Sequence, residues 1–310
     1  MNGDQVSTLE ALRDGGKPAM ARALAQLERS PDAPESLALL DQAYASPRGR
    51  VIGVTGPPGV GKSTLVGTLI GLLRGRGESV GVIAVDPSSK RSGGALLGDR
   101  VRLASDPEDA GTFVRSMAAR DKLGGLAEAT MAAMVLMRAV YDCVVIETVG
   151  VGQSETDVAG LADSVVFCVQ PGSGDSLQFM KAGIVEIPHI AVVTKADQGA
   201  AAERAVADLK GALSLAEAEG DWEVAVLAVS AQNRAGLDAL LQALDRHGAY
   251  LNDQDRLAAV RHAQAEAWLA NAVRERFGRE GLKRAGRLAL AREESPFAGL
   301  AKVAAELPAS

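Results

Sequence analysis

The sequence is poor in the residues that mark several common architectures. It has only two cysteines, Cys143 and Cys168, each inside an apolar run. Two such thiols do not make a disulfide scaffold; they read as reduced core residues of a reducing compartment. The three histidines, His189, His247 and His262, are scattered and C-x-x-C is absent, which leaves a dedicated nickel or zinc site without a ligand set. Aromatics make up 3%, so aliphatic side chains must fill the core. There is no basic excess: the formal net charge is −6, which argues against a general nucleic-acid surface. No apolar run approaches the roughly 20 residues that span a bilayer. The start, MNGDQVSTLEALRDGG, lacks the basic and apolar stretches of a signal peptide. The expectation is a cytoplasmic protein without membrane or nucleic-acid partners.

What the sequence does hold is 47% hydrophobic content over 310 residues, enough for one large α/β domain with helical additions. Residues 1–47 read as an N-terminal helical segment. Leu9, Leu12, Met20, Leu24 and Leu27 recur at helical spacing, a second pattern runs from Glu35 to Tyr44, and Pro31, Pro34 and Pro47 punctuate them. Residues 48–250 alternate apolar runs with helical patterns. Strands are expected at Val51–Val54, Val80–Val85, Cys143–Ile146, Val165–Val169, Ile190–Val193 and Val224–Val229. Helices are expected at Leu65–Arg74, Leu126–Val140, Ser176–Glu186, Ala200–Ala218 and Leu237–His247. Near-continuous apolar strands separated by helices predict a mainly parallel sheet covered on both faces, a three-layer α/β fold. Residues 251–310 form a C-terminal helical arm, with a long helix interrupted at Gly278, Gly281 and Gly286 and a shorter one after Pro296. The long helix either docks on the main domain or serves a second subunit.

Ligands of such sheets lie at the carboxyl ends of the strands, and the polar signatures fall there. The chain is organised around Gly56-Pro57-Pro58-Gly59-Val60-Gly61-Lys62-Ser63, which fits G-x-x-x-x-G-K-S/T between a strand and a helix. Backbone amides of the loop, Gly59 through Thr64, face phosphate oxygens. Lys62 brings charge to the terminal phosphates, and the Ser63 hydroxyl is a Mg²⁺ ligand. Asp86 follows the second strand and either holds Mg²⁺ or water, or caps the next turn. Asp99 closes a glycine-rich span suited to a switch loop, and is equally a helix cap. Glu147 ends the next strand, with Gly150 placed for a γ-phosphate contact. Gln153 either orients water or is solvated. Lys181, beyond the Gln170–Asp175 glycine loop, reads by itself as a surface charge.

Thr194-Lys195-Ala196-Asp197 resembles the base-reading motif of GTPases. The Asp197 carboxylate matches the paired guanine donors, which adenine does not offer, and the Lys195 stem can cover the base. Thr194 stands where Asn is commoner, removing an amide that ties the motif to the phosphate loop. Ser230-Ala231, at the next strand end, is the short element that backs guanine with a main-chain N–H.

Taken together, GPPGVGKST, AVDPSSKRSGGALLGD, RSMAARDKLGGLAEAT, ETVGVGQSETDVAGLAD, PGSGDSLQFMKAGIVEI and TKAD resemble the MeaB/ArgK family of P-loop GTPases, relatives of the methylmalonic aciduria type A protein. The resemblance covers roughly residues 9–277. It implies a GTP-hydrolysing chaperone of a cobalamin-dependent acyl-CoA mutase, using GTP/GDP and Mg²⁺ and forming a homodimer through C-terminal helices. It also implies that Lys62, Ser63, Asp86, Asp99 and Glu147 serve phosphate and Mg²⁺. Asp175, Gln178 and Lys181 would belong to a third switch that senses the mutase. Departures are Thr194, His189 where an acidic residue is common, Asp121 where Gly is usual, and a tail from Gly278 without counterpart. The cobalamin-binding sequence D-x-H-x-x-G is absent, so the mutase is expected to carry that cofactor. Two rivals are a nickel-delivery GTPase, which lacks ligands, and a kinase or ATPase of basic amino-acid transport, which Asp197 opposes.

Overall fold

The computed structural model describes residues 6–87, 108–119, 128–148, 157–172, 188–214 and 221–307, with 86–87 and 118–119 described for their backbone only. These residues form two compact units. One comprises residues 50–126 and 143–256 and carries the sheet; the other gathers residues 1–49, 127–142 and 257–310.

The sheet unit has seven strands among the described residues: β1 (Arg50–Thr55), β2 (Val80–Pro87), β3 (Thr112–Ala119), β4 (Cys143–Glu147), β5 (Ser164–Val169), β6 (Ile190–Val193) and β7 (Ala225–Ala228). Their order is β3-β2-β4-β1-β5-β6-β7 and every pairing is parallel. The chain therefore moves outward from the centre in both directions, and all strands end on one edge.

Side chains alternate across the pleat. Val166, Cys168, Ile190 and Val192 face a core shared with Leu65, Leu69 and Leu73 of one helix (Lys62–Gly75) and Leu240, Leu241 and Leu244 of another (Leu237–Asn252). Phe167, Val169, Ala191 and Val193 face the opposite way, onto Ala202 and Leu209 of a helix spanning Ala200–Leu213. Helices thus cover both faces, the three-layer arrangement of a P-loop NTPase. Both cysteines are buried and free, and burial pushes each thiol up to about 12.

The expected strands are all present. β3 is an addition: its interleaved Arg115 and Ser116 break the apolar run that marks the others, and as an edge strand it is half-buried. Asp109 pins its start, accepting from Arg74 at 2.7 and 2.8 Å and from the Thr112 hydroxyl at 2.7 Å. These hydrogen bonds hold the Asp109 carboxyl well below its usual range. The expected helix at Ser176–Glu186 lies outside the described residues.

The other unit is helical in its described part. In chain order with the three above, its members are α1 (Leu9–Asp14), α2 (Gly16–Arg29), α3 (Pro34–Ala45), α5 (Glu128–Val140), α8 (Arg256–Ala285) and α9 (Pro296–Glu306); those of the sheet unit are α4 (Lys62–Gly75), α6 (Ala200–Leu213) and α7 (Leu237–Asn252). Pro34 opens α3 and Pro296 opens α9, positions where the missing N–H costs nothing. Ala265, Leu269, Ala272 and Val273 of α8 pack with Leu290 and Leu300, and the Trp268 and Phe297 rings meet edge-on at 5.0 Å. The three expected helix breaks resolve differently. Gly278 (φ 70°) kinks α8, Gly281 stays inside it, and Gly286 (φ 67°) follows its end. Among the described residues no helix is long and apolar enough to cross a membrane.

Candidate functional site

β1 is apolar and buried up to Thr55, and the chain turns at Gly56 with φ +133°. A β-carbon there would stand 2.1 Å from the Cys168 carbonyl oxygen, so the loop can pass over β5 only with glycine. Gly61 (φ +99°) opens α4, whose first turn has no side-chain cap. The amino end of α4 therefore offers backbone N–H groups to an anion. Lys62 curls back over the loop: its ammonium donates to the carbonyls of Gly56 at 2.6 Å and Pro57 at 2.9 Å.

Ser63, the next residue of α4, donates to Glu147 Oε1 at 2.6 Å. The sheet makes this contact, because Val54 and Glu147 are register partners on adjacent strands. Just beyond, the Thr148 N–H bonds the Val54 carbonyl at 3.1 Å and its hydroxyl meets that of Thr55 at 3.0 Å. A hydroxyl and a carboxylate held together at a phosphate loop fit Mg²⁺, which takes one or two protein oxygens and keeps water and phosphate for the rest. Among the described residues no group of three or more His, Cys, Asp or Glu is gathered, and such a cage is not what magnesium needs.

The base-side loop follows β6. Thr194 Oγ1 lies 2.6 Å from the Val60 carbonyl and 2.9 Å from that of Val169, and its hydroxyl donates to them. The amide of the commoner Asn is absent, and the shorter Thr194 hydroxyl supplies a tie to the phosphate loop in its place. Lys195 takes a left-handed conformation (φ 54°, ψ 42°), uncommon for a residue with a β-carbon. Its ammonium donates to the Gly59 carbonyl at 3.2 Å and to Gln170 Oε1.

Asp197 Oδ1 accepts from the Ser230 hydroxyl at 2.6 Å, and that hydroxyl in turn accepts from the Asn233 N–H at 3.2 Å. The Ser230 bond holds the exposed Asp197 carboxyl below its ordinary value. Ser230 pairs with Ala235 in an isolated bridge, and Gly236 (φ +73°) then passes too close to the Ala228 carbonyl for any side chain. One cavity of about 310 Å³ is lined by Val60, Gly61 and Thr64 from the phosphate side and by Lys195, Asp197, Ser230 and Ala231 from the base side. Its size falls within the usual range for small-molecule sites, about 300–1,000 Å³.

Gly59, Val60, Gly61, Lys62, Ser63, Thr64, Glu147, Lys195, Asp197, Ser230 and Ala231 thus fall on one edge of the sheet. Asp86 is the next-to-last residue of β2 and reaches the same edge by its backbone. Its side chain lies outside the described structure, as do Asp99, Gly150 and Lys181 altogether. Gln198 and Gln232, which also line the cavity, carry no sequence motif, and Gln170 is marked in the sequence only as the start of a glycine loop. Gln170 directly follows an apolar strand, a signal close to the one that picked out Glu147. His189, at the opposite edge, accepts the Val165 N–H at 2.9 Å through Nδ1, as a carboxylate at that position would.

Residues 20–284 match the family described as methylmalonyl-CoA mutase-associated GTPase MeaB. A Pyrococcus horikoshii protein whose name places it among GTPases is 39% identical over 264 residues, covering 83% of this chain and 82% of that one. The mitochondrial methylmalonic aciduria type A homolog of Mus musculus is 36% identical over 228 residues, 72% of this chain and 55% of that one. A crystal structure described as an LAO/AO transport system kinase superposes with a TM-score of 0.68 at 29% identity, over 96% of this chain and 95% of that one. The family match and the seven-stranded parallel sheet lead to one assignment: this chain belongs to the MeaB family of P-loop GTPases.

Proposed function

We propose that this GTPase binds GTP with Mg²⁺ along the carboxyl ends of β1, β4 and β6, and that its cycle of hydrolysis serves a cobalamin-dependent acyl-CoA mutase, such as methylmalonyl-CoA mutase, as a chaperone. The observation that carries the site reading is a cavity lined by both the phosphate loop and the Asp197–Ser230 pair. The amides from Gly59 to Thr64 receive phosphate oxygens. Lys62 exchanges its loop carbonyls for the terminal phosphates and answers the charge that develops there. Ser63 and Glu147 hold the magnesium, with Asp86 and Asp99 as further oxygen donors. The metal, when bound, neutralises charge on the transferred phosphoryl group. Gly150 supplies an amide to the γ-phosphate, and water attacks in line. Asp197 accepts the guanine N1–H and N2–H₂, the Ala231 N–H backs the ring, and the Lys195 stem covers it.

The partner reading is supported by the family's own description and by the name of the mouse relative. The mutase carries the cobalamin. In this reading Lys181 belongs to a switch that feels the client, and the chain works as a homodimer through α8 and α9. The transport-kinase reading draws on the name of the superposed crystal structure; it requires ATP, which the Asp197 carboxylate disfavours. Phosphate release from GTP, measured with and without purified candidate mutases, tests the proposal. A cognate mutase is expected to raise turnover severalfold, and turnover unmoved by every candidate sinks the client role.

A further inference from the structure

Lys195 is held at both ends. Its backbone sits in the left-handed region, and its ammonium reaches two acceptors from different elements, the Gly59 carbonyl of the phosphate loop and the Gln170 side chain. A lysine stem free at its head samples many rotamers, and pinning the head removes most of them. The Gln170 anchor is not a loop accident. Val169 and Val193 are register partners of β5 and β6, and the Thr194 N–H bonds the Val169 carbonyl at 2.8 Å. The residues that follow each strand, Gln170 and Thr194-Lys195, are therefore held side by side by the sheet. An amide oxygen can receive the ammonium without cancelling its charge, which an aliphatic side chain of the same length cannot do.

We propose that Gln170 is a positioning residue for guanine recognition: by accepting from the Lys195 ammonium it holds the lysine stem over the base. This rests on the reading of Lys195 and Asp197 as the guanine site. A stem stacked on the base touches substrate and transition state alike. Losing its anchor should therefore weaken nucleotide binding and raise KM while leaving kcat nearly unmoved.

The test is stopped-flow release of mant-GDP from the full chain, with mant-ADP as the control nucleotide. Q170L removes the acceptor at similar volume and Q170E keeps one. Q170L is expected to release mant-GDP about 5-fold faster, in keeping with loss of one partly exposed bond to a charged group. Q170E should stay within about twofold of the parent. In a K195A background, Q170L should add nothing. Melting temperatures separate this from a structural role, since the proposal predicts faster release without a lowered Tm. Release from Q170L at the parent rate, or from Q170L and Q170E equally fast, overturns the proposal. A parent protein that holds mant-ADP as well as mant-GDP overturns the guanine reading itself, and this inference with it.

Discussion

At the amino edge of the sheet, charge is answered by charge. Arg50 bonds Glu78 at 3.0 Å and Asp245 at 3.2 Å, and Asp245 also accepts from Arg76 at 2.8 Å. His247 is fully buried, shares a 2.7 Å hydrogen bond with the Ser164 hydroxyl, and lies 4.2 Å from the His189 ring and 4.6 Å from Trp222 between centroids. At the carboxyl edge, Lys62 and Lys195 donate instead to neutral oxygens of Gly56, Pro57, Gly59 and Gln170. Neutral acceptors position a cation without spending its attraction for an anion. The same sheet thus presents an ion-paired edge that holds strands together and an edge of neutral contacts that can take a ligand.

The sharpest break of this contrast is at Lys62. K62A should lower GTP turnover by about 10²–10³-fold, the scale seen when one preorganised stabiliser of developing charge is removed. Phosphate-release kinetics would check it, and turnover within a few-fold of the parent would deny Lys62 its role. Next is Asp197. D197A should weaken GDP binding by about 10–100-fold through loss of hydrogen bonds to a carboxylate, measured by calorimetry, with ADP binding unaffected. T194V keeps shape but removes the donor to the Val60 carbonyl, and should cost GDP affinity about 5-fold with little change in kcat.

The smallest effect on the ligand edge comes from acid, which acts on the other edge. Burial holds His189 at about 4 and His247 at about 3 in the folded chain. The unfolded chain titrates near 6.5, so between these values the unfolded state binds more protons. Their stabilisation is complete above roughly pH 6.5 and is lost as pH falls toward 4 and 3. Moving from pH 7.5 to 5.5 should lower unfolding free energy by about 1 kcal/mol per histidine. Denaturation followed by tryptophan fluorescence in a W268F background, which leaves Trp222 as the emitter, would read it, and H247F should flatten the slope.

Sequence alone shows the phosphate loop because strand, glycines, lysine and helix are contiguous, and it shows Asp197 through the Thr-Lys-x-Asp motif after one apolar run and Ser230 because it directly follows the next. It does not show what depends on side chains meeting across strands. β3 rests on the Arg74–Asp109 pair rather than on an apolar pattern. The Thr194–Val60 tie joins residues 134 apart, and the Gln170–Lys195 contact requires the β5–β6 register. Grouping α5 with α2 and α3 likewise comes from tertiary packing that helical periodicity does not carry.

Everything proposed for the carboxyl edge depends on a guanine nucleotide being bound there and read by Asp197. Equilibrium titration of the full chain with mant-GDP and mant-ADP in the presence of Mg²⁺ tests it most directly. Mant-GDP is expected to bind on the order of 100-fold tighter than mant-ADP, and D197A to abolish the difference, since the Asp197 carboxylate pairs with the two guanine donors and finds no such pair on adenine. Equal binding of the two nucleotides to the parent protein would contradict it.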